Sequence, residues 1–218
     1  MNAFIKSALG AATVLALASG AQAVTISSYD VSNARLSGFG GWNHTFTGTI
    51  GGGDPTSYTN GSGTLNDGIL GNNHNANQLF WLADNPSITL YLSGLSTVSS
   101  LDLLGGNSPG NFIPGTLTGF SVTIGGNTVA FNSVGHGAAC LSGLCDDLVS
   151  LAGSGLENIA TTTVVLSNFQ GGWPGQGQYM SISEINVNAG VVPEPETYAL
   201  MALGLAAVGV FARRRRAA

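Results

Sequence analysis

The sequence predicts an all-β fold, an antiparallel β-sandwich or jelly roll, for the body of the chain. Between Val24 and Val192 no segment of ten or more residues repeats its apolar side chains with the 3.6-residue period of a helix. Short segments instead alternate apolar and polar residues, which is the pattern of strands with one buried face. Turns rich in Gly and Asn separate these segments at the spacing that is typical of sandwiches and barrels.

The first 23 residues have the pattern of a secretory signal peptide. Lys6 precedes a short apolar stretch, and the sequence AQA that ends at Ala23 is an A-x-A cleavage site. Signal peptidase would then leave Val24 as the first residue of the exported protein. A short buried helix is the alternative interpretation.

Strand patterns recur through the body. In SITLYLS, residues 87–93, Ile88, Leu90 and Leu92 share one face. FSVTIGGNTVAF, residues 120–131, predicts a hairpin because the glycines tolerate the positive φ of a tight turn. TTTVVLSNF, residues 161–169, is rich in β-branched residues and also predicts a strand. The weakly patterned stretch from Ser37 to Asn77 predicts long loops with one or two short strands.

The apolar phase changes within the last predicted strand, YMSISEINV. Met180 and Ile182 occupy even positions, whereas Ile185 and Val187 occupy odd ones. Glu184 would therefore share a face with Ile182 unless the strand bulges between them. Two interpretations stay open, namely an edge strand with Glu184 in water or a carboxylate turned inward to meet a cation.

The charge of the body excludes one class of partner. From Val24 to Val192 the sequence contains one basic residue, Arg35, no lysine and nine Asp or Glu, which gives a net charge of −8. Such a body repels phosphate backbones, so nucleic acid is excluded as a partner. Clusters of carboxylates would instead attract cations such as calcium.

Two cysteines occur in the sequence CLSGLC. In an exported protein, Cys140 and Cys145 are expected to form a local disulfide, since four intervening residues with a central glycine can bend back. A zinc site that includes His136 and Asp146 is an alternative, although the segment lacks a second well-spaced pair of ligands.

Three segments in order carry a resemblance to a known family. LNDGILGNN, residues 65–73, leads to Trp81; SITLYLSGLSTVSSLDLLG, residues 87–105, follows; and YMSISEINV, residues 179–187, closes the set. Over about residues 28 to 188 this order resembles the galactose-binding-like, discoidin-type β-sandwich. The resemblance implies a binding module for sugars, lipids or proteins, and many such modules hold a structural calcium.

Carried over by position, the resemblance implies calcium ligands at Asp67 and Glu184, with Asn72 or Asn73 and nearby carbonyls completing an oxygen shell. The sequence departs from the family in two ways. The strand around Tyr91 lacks the family's Asp, and the DG loop reaches its tryptophan through a longer, Asn-rich path. A simple tight turn at Asp67 is therefore the alternative.

Aromatic, His and amide side chains in loops are the groups that contact sugars in such modules. The candidates are Trp42, His44, His74 and Trp173, although both tryptophans could instead cap the ends of the core. Asp146 and Asp147 are adjacent, so their side chains face opposite sides of a strand and do not form the facing pair of a glycosidase. The body is thus predicted to be a non-catalytic module that binds carbohydrate; a polysaccharide hydrolase and a purely structural matrix protein are the alternatives.

The C-terminal segment has three parts. A stiff motif comes first, followed by an apolar run from Tyr198 to Ala212 whose ~22 Å helical length is short for a ~30 Å bilayer core. The arginines behind it would stay in the cytoplasm under the positive-inside rule and stop translocation. The motif is Val192, Pro193, Glu194 and Pro195, and the basic cluster is Arg213, Arg214, Arg215 and Arg216.

This arrangement closely resembles the PEP-CTERM sorting signal of Gram-negative bacteria, a tail that is also labelled as an ice-binding protein C-terminal domain. The resemblance implies recognition by an exosortase, anchoring in the inner membrane at first, and later release to the cell surface or an extracellular polysaccharide matrix. A plain C-terminal anchor is the alternative. The predicted organisation is a signal peptide at 1–23, a sandwich body at 24–192 and a sorting signal at 193–218.

Overall fold

The computed structural model describes residues 24–70, 77–105, 116–132, 135–136, 145–172, 179–191, 201–205, 208–209 and 213. A single 3-10 turn, Phe39–Gly41, interrupts the strands and loops of the described body. The strands in chain order are β1 (Ile26–Ala34), β2 (Thr49–Ile50), β3 (Thr56–Gly61), β4 (Leu79–Trp81), β5 (Ser87–Gly105), β6 (Thr116–Ile124), β7 (Asn127–Asn132), β8 (Gly135–His136), β9 (Cys145–Ser150), β10 (Ala160–Gly172), β11 (Met180–Ile182) and β12 (Glu184–Val191).

The long strand β5 organises the fold because its two halves pair with different partners. Its first half pairs with β1 and β10, within the order β2-β3-β1-β5-β10-β6-β7. Its second half pairs with β9 and β12, and β8 continues beyond β9. Strands β4 and β11 form a separate pair. Every pairing is antiparallel, which confirms the predicted all-β antiparallel class.

One hydrophobic cluster lies beneath two groups of strands, those on the first half of β5 and those on its second half. The first group contributes residues at every second position, among them Ile88 and Leu90 of β5, and the second group contributes Leu101, Leu103 and Ile185. This alternation is what a strand with one buried face requires. Because both groups bury their apolar faces in the same cluster, the arrangement is that of the predicted sandwich.

Two local predictions are confirmed and one length is corrected. The β6–β7 hairpin turns at Gly125 and Gly126, whose φ values of 57° and 82° are those that glycine tolerates. Two short strands, β2 and β3, lie between Ser37 and Asn77. The predicted strand at residues 87–93 is longer than expected, since it continues without interruption to Gly105.

Several predictions concern residues outside those described. These are the signal peptide, the Val192–Pro195 motif, Cys140, His74, Trp173, Tyr198, Ala212 and Arg214–Arg216. Residues 201–205, 208–209 and 213 are helical and fall within or next to the predicted apolar run. In the described part of the chain, no helix has both the length and the apolar character needed to cross a membrane.

Candidate functional site

Four aromatic side chains from distant parts of the chain meet at one surface, here called the aromatic face: Phe39, Trp42, Phe80 and Tyr179. Phe80 is buried at the base, and the Trp42 indole stacks on it with ring centroids 5.2 Å apart and planes 9° apart. Phe39, 36% exposed, stacks on Phe80 at 6.1 Å, and Tyr179 reaches the same ring at 6.2 Å. Trp42 and Tyr179 are half-buried, so both retain surface that a ligand can contact.

The sequence SGFGGW shapes the loop that presents Phe39 and Trp42. Gly38 and Gly40 adopt φ values of 94° and 59°, in the left-handed region that favours glycine. The N–H of Gly38 donates to the Trp42 carbonyl at 2.6 Å, and the N–H of Trp42 donates to the Phe39 carbonyl at 2.9 Å. These bonds close a tight turn between the two residues whose rings both stack on Phe80.

Arg35, the one basic residue of the body, lies beside the aromatic face. Its guanidinium carbon is 5.1 Å from the centre of the Phe39 ring, within the range of a cation–π contact. Its two terminal nitrogens form ion pairs with Asp54 at 3.1 Å and Asp84 at 2.8 Å. The backbone N–H of Arg35 also donates to the Phe80 carbonyl at 2.9 Å, which ties the charged cluster to the aromatic face.

His44 does not lie at the surface, contrary to its predicted role as a sugar contact. Its ring is 5% exposed, accepts or donates a hydrogen bond at 2.8 Å with the Tyr29 hydroxyl, and packs edge-on against Tyr58 at 4.4 Å. Burial lowers the pKa of His44 to about 4, so the ring is neutral at physiological pH. A buried neutral histidine in an aromatic cluster stabilises the core and cannot reach a ligand in solvent.

Glu184 lies inside the fold, so the expectation that its side chain is in water is wrong, although β12 pairs only with β5 among the described strands and is an edge strand as that interpretation expected. The predicted last strand, residues 179–187, is in fact two strands, β11 and β12, separated at Ser183 where the change of apolar phase allowed a bulge. Glu184 is 3% exposed. Its Oε2 accepts the N–H of Gly68 at 3.0 Å. Burial raises the pKa of Glu184 to about 7; the negative charge of Asp67 adds to this rise, while the backbone N–H of Gly68 opposes it.

Asp67 and Glu184, 117 positions apart in sequence, therefore lie near each other. Their two segments are joined by the hydrogen bond from the backbone N–H of Gly68 to the Glu184 carboxylate. Asp67 Oδ1 accepts the N–H of Ile69 at 2.8 Å, which is the side-chain turn typical of Asp before glycine. Among the described residues no three His, Cys, Asp or Glu side chains converge on a metal position. The expected amide ligands Asn72 and Asn73 lie outside those residues, so calcium at this turn stays a prediction.

A cleft of about 430 Å³ opens beside Glu184. Asp102 of β5 and Asn186 of β12 are register partners, and both line this cleft with Glu184. Residues 24–26, at the start of the described body, also line the cleft, as does Asn66. The cleft is thus a second polar site, built from different residues than the aromatic face.

The tail was compared with known protein families. Residues 191–216 match the model described as "PEP-CTERM protein-sorting motif". The chain carries a PEP-CTERM sorting motif. This confirms the resemblance that the order of proline motif, apolar run and arginine cluster predicts, and the PEP-CTERM match begins at the last residue of β12. The search of curated proteins gave no match.

Several solved structures are similar to the chain. The family 32 CBM of C. perfringens NanJ, solved in complex with galactose, is 16% identical, with 66% of this chain and 92% of that chain covered and a TM-score of 0.39. The CBM32 of AlyQ, in complex with 4,5-unsaturated mannuronic acid, is 18% identical, with 57% of this chain and 81% of that chain covered and a TM-score of 0.34. CpGH89 from Clostridium perfringens, in complex with GlcNAc-alpha-1,4-galactose, is 14% identical over 71% and 15%, with a TM-score of 0.40.

Sequence reasoning identified one member of the aromatic face, Trp42, and missed the other three. Phe80 and Tyr179 reach the face from strand β4 and from the residue before β11, so nothing local in the sequence joins them to residues 39–42. Arg35 was noticed as the single basic residue but not placed in a site. The signal for this site in the sequence is the single basic residue of an acidic body, Arg35, which lies two residues before the loop SGFGGW.

Proposed function

We propose that the chain is an exported, exosortase-sorted protein whose body is a non-catalytic carbohydrate-binding module, and that the aromatic face holds the sugar. The observation that carries this proposal is the half-exposed indole of Trp42, which stacks on Phe80 and lies beside the exposed ring of Phe39. The alternatives of a polysaccharide hydrolase and a purely structural matrix protein are distinguished by the experiment below.

Stacking is the interaction that this face is suited to. The axial C–H groups of a pyranose form an apolar patch that packs against an aromatic ring, and such burial contributes about 25 cal/mol per Å². Phe80 fixes the plane of the Trp42 indole from below, so little side-chain entropy remains to be lost when a ligand binds. A ring that is already held in place gives more net affinity than a free one.

The charged cluster beside the face supplies polar contacts. Carboxylates accept hydrogen bonds from sugar hydroxyls, and a guanidinium donates to them. Asp54 and Asp84 have side chains that are 30% and 22% exposed, and both are oriented by Arg35. Since one guanidinium holds both carboxylates, they differ from the pair that faces across a cleft in glycosidases, which favours binding over hydrolysis.

The PEP-CTERM motif accounts for where the module acts. An exosortase would recognise the motif while the apolar run and the arginine cluster hold the chain in the inner membrane of a Gram-negative bacterium. The acidic body would then reach the cell surface or the extracellular polysaccharide. A sugar-binding body delivered there would attach the protein to that polysaccharide.

A glycan array followed by calorimetry tests the proposal. Trp42→Ala and Phe39→Ala should each weaken binding by about five- to 150-fold, because each removes stacking surface worth ~1–3 kcal/mol. Leu148→Ala removes an apolar side chain that is 54% exposed on β9 and serves as the matched control, which should bind as the parent does.

Three outcomes separate the functions. Binding that is lost in the Trp42→Ala chain and kept in the Leu148→Ala chain supports the module. Release of reducing sugar from a bound polysaccharide would replace it with the hydrolase. Absence of both binding and hydrolysis across the array would leave the structural matrix protein.

A further inference from the structure

The residue predicted to become the N-terminus after export lies in the acidic cleft. Val24 is 7% exposed and lines the 430 Å³ cleft together with the carboxylates of Asp102 and Glu184. Asn66 and Asn186 add amide groups to the same walls. The backbone nitrogen of Val24 therefore belongs to a residue that lines the same cleft as two acidic side chains.

The start of the body is held in place rather than left as a loose end. The Val24 side chain belongs to the hydrophobic core. The Thr25 N–H donates to Ser93 Oγ at 3.2 Å, and the Ser93 N–H donates back to the Thr25 carbonyl at 2.9 Å. Asn66 Nδ2 donates to the Ile26 carbonyl at 3.0 Å. These contacts fix the position at which a new amino group would appear.

Charge complementarity identifies what the cleft would bind. A buried carboxylate is costly unless a counter-charge and hydrogen bonds accompany it. The one basic side chain of the body, Arg35, is already engaged by Asp54 and Asp84 beside the aromatic face. The body has no lysine, and His44 is buried and neutral. Leaving aside the imidazoles of His74 and His136, the α-ammonium would therefore be a further positive charge that the processed body can supply at physiological pH.

We propose that cleavage of the signal peptide creates this cation in position, and that the α-ammonium of Val24 binds in the cleft to the carboxylates of Glu184 and Asp102. The step rests on the export proposed above. Hydrolysis of the Ala23–Val24 peptide bond consumes one water and leaves a carboxylate on Ala23 and an ammonium on Val24. Before cleavage the same nitrogen is a neutral amide.

The ion pair would link three parts of the fold. Glu184 begins β12 and holds the Asp67–Gly68 turn through the Gly68 N–H, while Asp102 lies on β5. An ammonium between them ties the N-terminus to both strands and to the turn. The processed chain would therefore be more resistant to local opening at this end of the sandwich than its precursor.

The composition of the chain makes the test simple. Its single lysine, Lys6, leaves with the signal peptide, so the processed chain has one amino group, at Val24. The purified processed chain, with its tail, is treated with an acetylating reagent in buffer that contains EDTA, which keeps divalent cations out of the cleft. Labelling is followed by mass spectrometry in the native state and in urea, with free valinamide as a reference for the effect of urea on the reagent.

We expect native labelling to be at least about tenfold slower than labelling in urea. Glu184→Gln and Asp102→Asn should each restore most of the lost rate, because each removes one carboxylate that holds the ammonium. Glu157→Gln removes one charge from a loop outside the cleft and should leave the rate unchanged. If the Glu184 variant does not fold, Asp102→Asn alone gives the answer.

Two results would overturn the inference. Equal labelling rates in the native and unfolded chains would show that the amine is free. Slow labelling that persists in the folded carboxylate variants would show steric burial without an ion pair. N-terminal sequencing is done first; a processed chain that does not begin at Val24 would refute the proposed cleavage, and with it this inference, without bearing on sugar binding.

Discussion

Replacement of Glu184 by glutamine should stabilise the uncleaved chain, which lacks the α-ammonium, at alkaline pH. Glutamine keeps the shape of the side chain and its Oε1 can still accept the N–H of Gly68. The substitution removes only the buried negative charge, which has Asp67 as a neighbour. Because the hydrogen bond is kept and only a charge is lost, the gain in the free energy of unfolding should depend on pH.

The size and sign of the effect follow from the pKa of Glu184, which burial raises from its usual 4.5 to about 7. The folded chain keeps this proton up to about pH 7, whereas the unfolded chain loses it near pH 4.5. The free energy of unfolding therefore falls as the pH rises between these values, by about 3 kcal/mol in total at ~1.36 kcal/mol per pKa unit. Glu184→Gln should recover up to about that amount at pH 8 and nothing at pH 4.

Urea unfolding followed by tryptophan fluorescence measures the difference, since Trp81 is fully buried against Phe169 with ring centroids 5.0 Å apart. Glu157→Gln is the matched control, and its effect on the free energy of unfolding should have the opposite sign. Backbone N–H groups of Glu157 and Gly153 lower the pKa of Glu157, so its loss should destabilise the fold at neutral pH and have no effect in strong acid. A Glu184→Gln chain with the same stability as the parent at both pH 4 and pH 8 would show that Glu184 carries no destabilising buried charge.

Three further predictions concern the tail, the cysteines and calcium. In cells with a matching exosortase, intact-mass spectrometry should find that the surface form has lost the segment beyond Pro193–Pro195; retention of Arg213–Arg216 in such cells would contradict sorting. After export, alkylation without reductant should label neither Cys140 nor Cys145, and full labelling of both would reopen the zinc alternative. If calcium binds near Asp67 and Glu184, calcium at 100 times its Kd should add about 2.7 kcal/mol to the free energy of unfolding. The melting temperature should then rise with calcium, and should change little with calcium in the Asp67→Asn chain. The same melting temperature in calcium and in EDTA would exclude the site.

Much of the fold could be predicted because its strands carry local signals. The alternation of Ile88, Leu90 and Leu92 reports which face is buried, and the paired glycines report the β6–β7 turn. The change of phase between Ile182 and Ile185 indicated a possible bulge, since a side-chain period of two cannot absorb an odd step without an irregularity; the structure has a break between two strands there instead.

The candidate site was harder to predict because long-range packing decides it. His44 has the surroundings of a surface loop in sequence, but its burial results from contacts with Tyr29 and Tyr58, which lie on other strands. The aromatic face joins Trp42 to Phe80, a neighbour only in space. Hydrophobic periodicity reports which face of a strand is buried; it does not report which loops meet at the end of a sandwich.

A crystal structure of the processed chain with an oligosaccharide chosen from the array would show whether carbohydrate binds to the aromatic face of Phe39, Trp42, Phe80 and Tyr179. We expect a pyranose ring stacked on the Trp42 indole, at the ~3.5–4 Å separation of carbon atoms in contact, with a hydroxyl within hydrogen-bonding distance of Asp54 or Asp84. A sugar bound elsewhere on the body, with the Trp42 indole left in solvent, would contradict it.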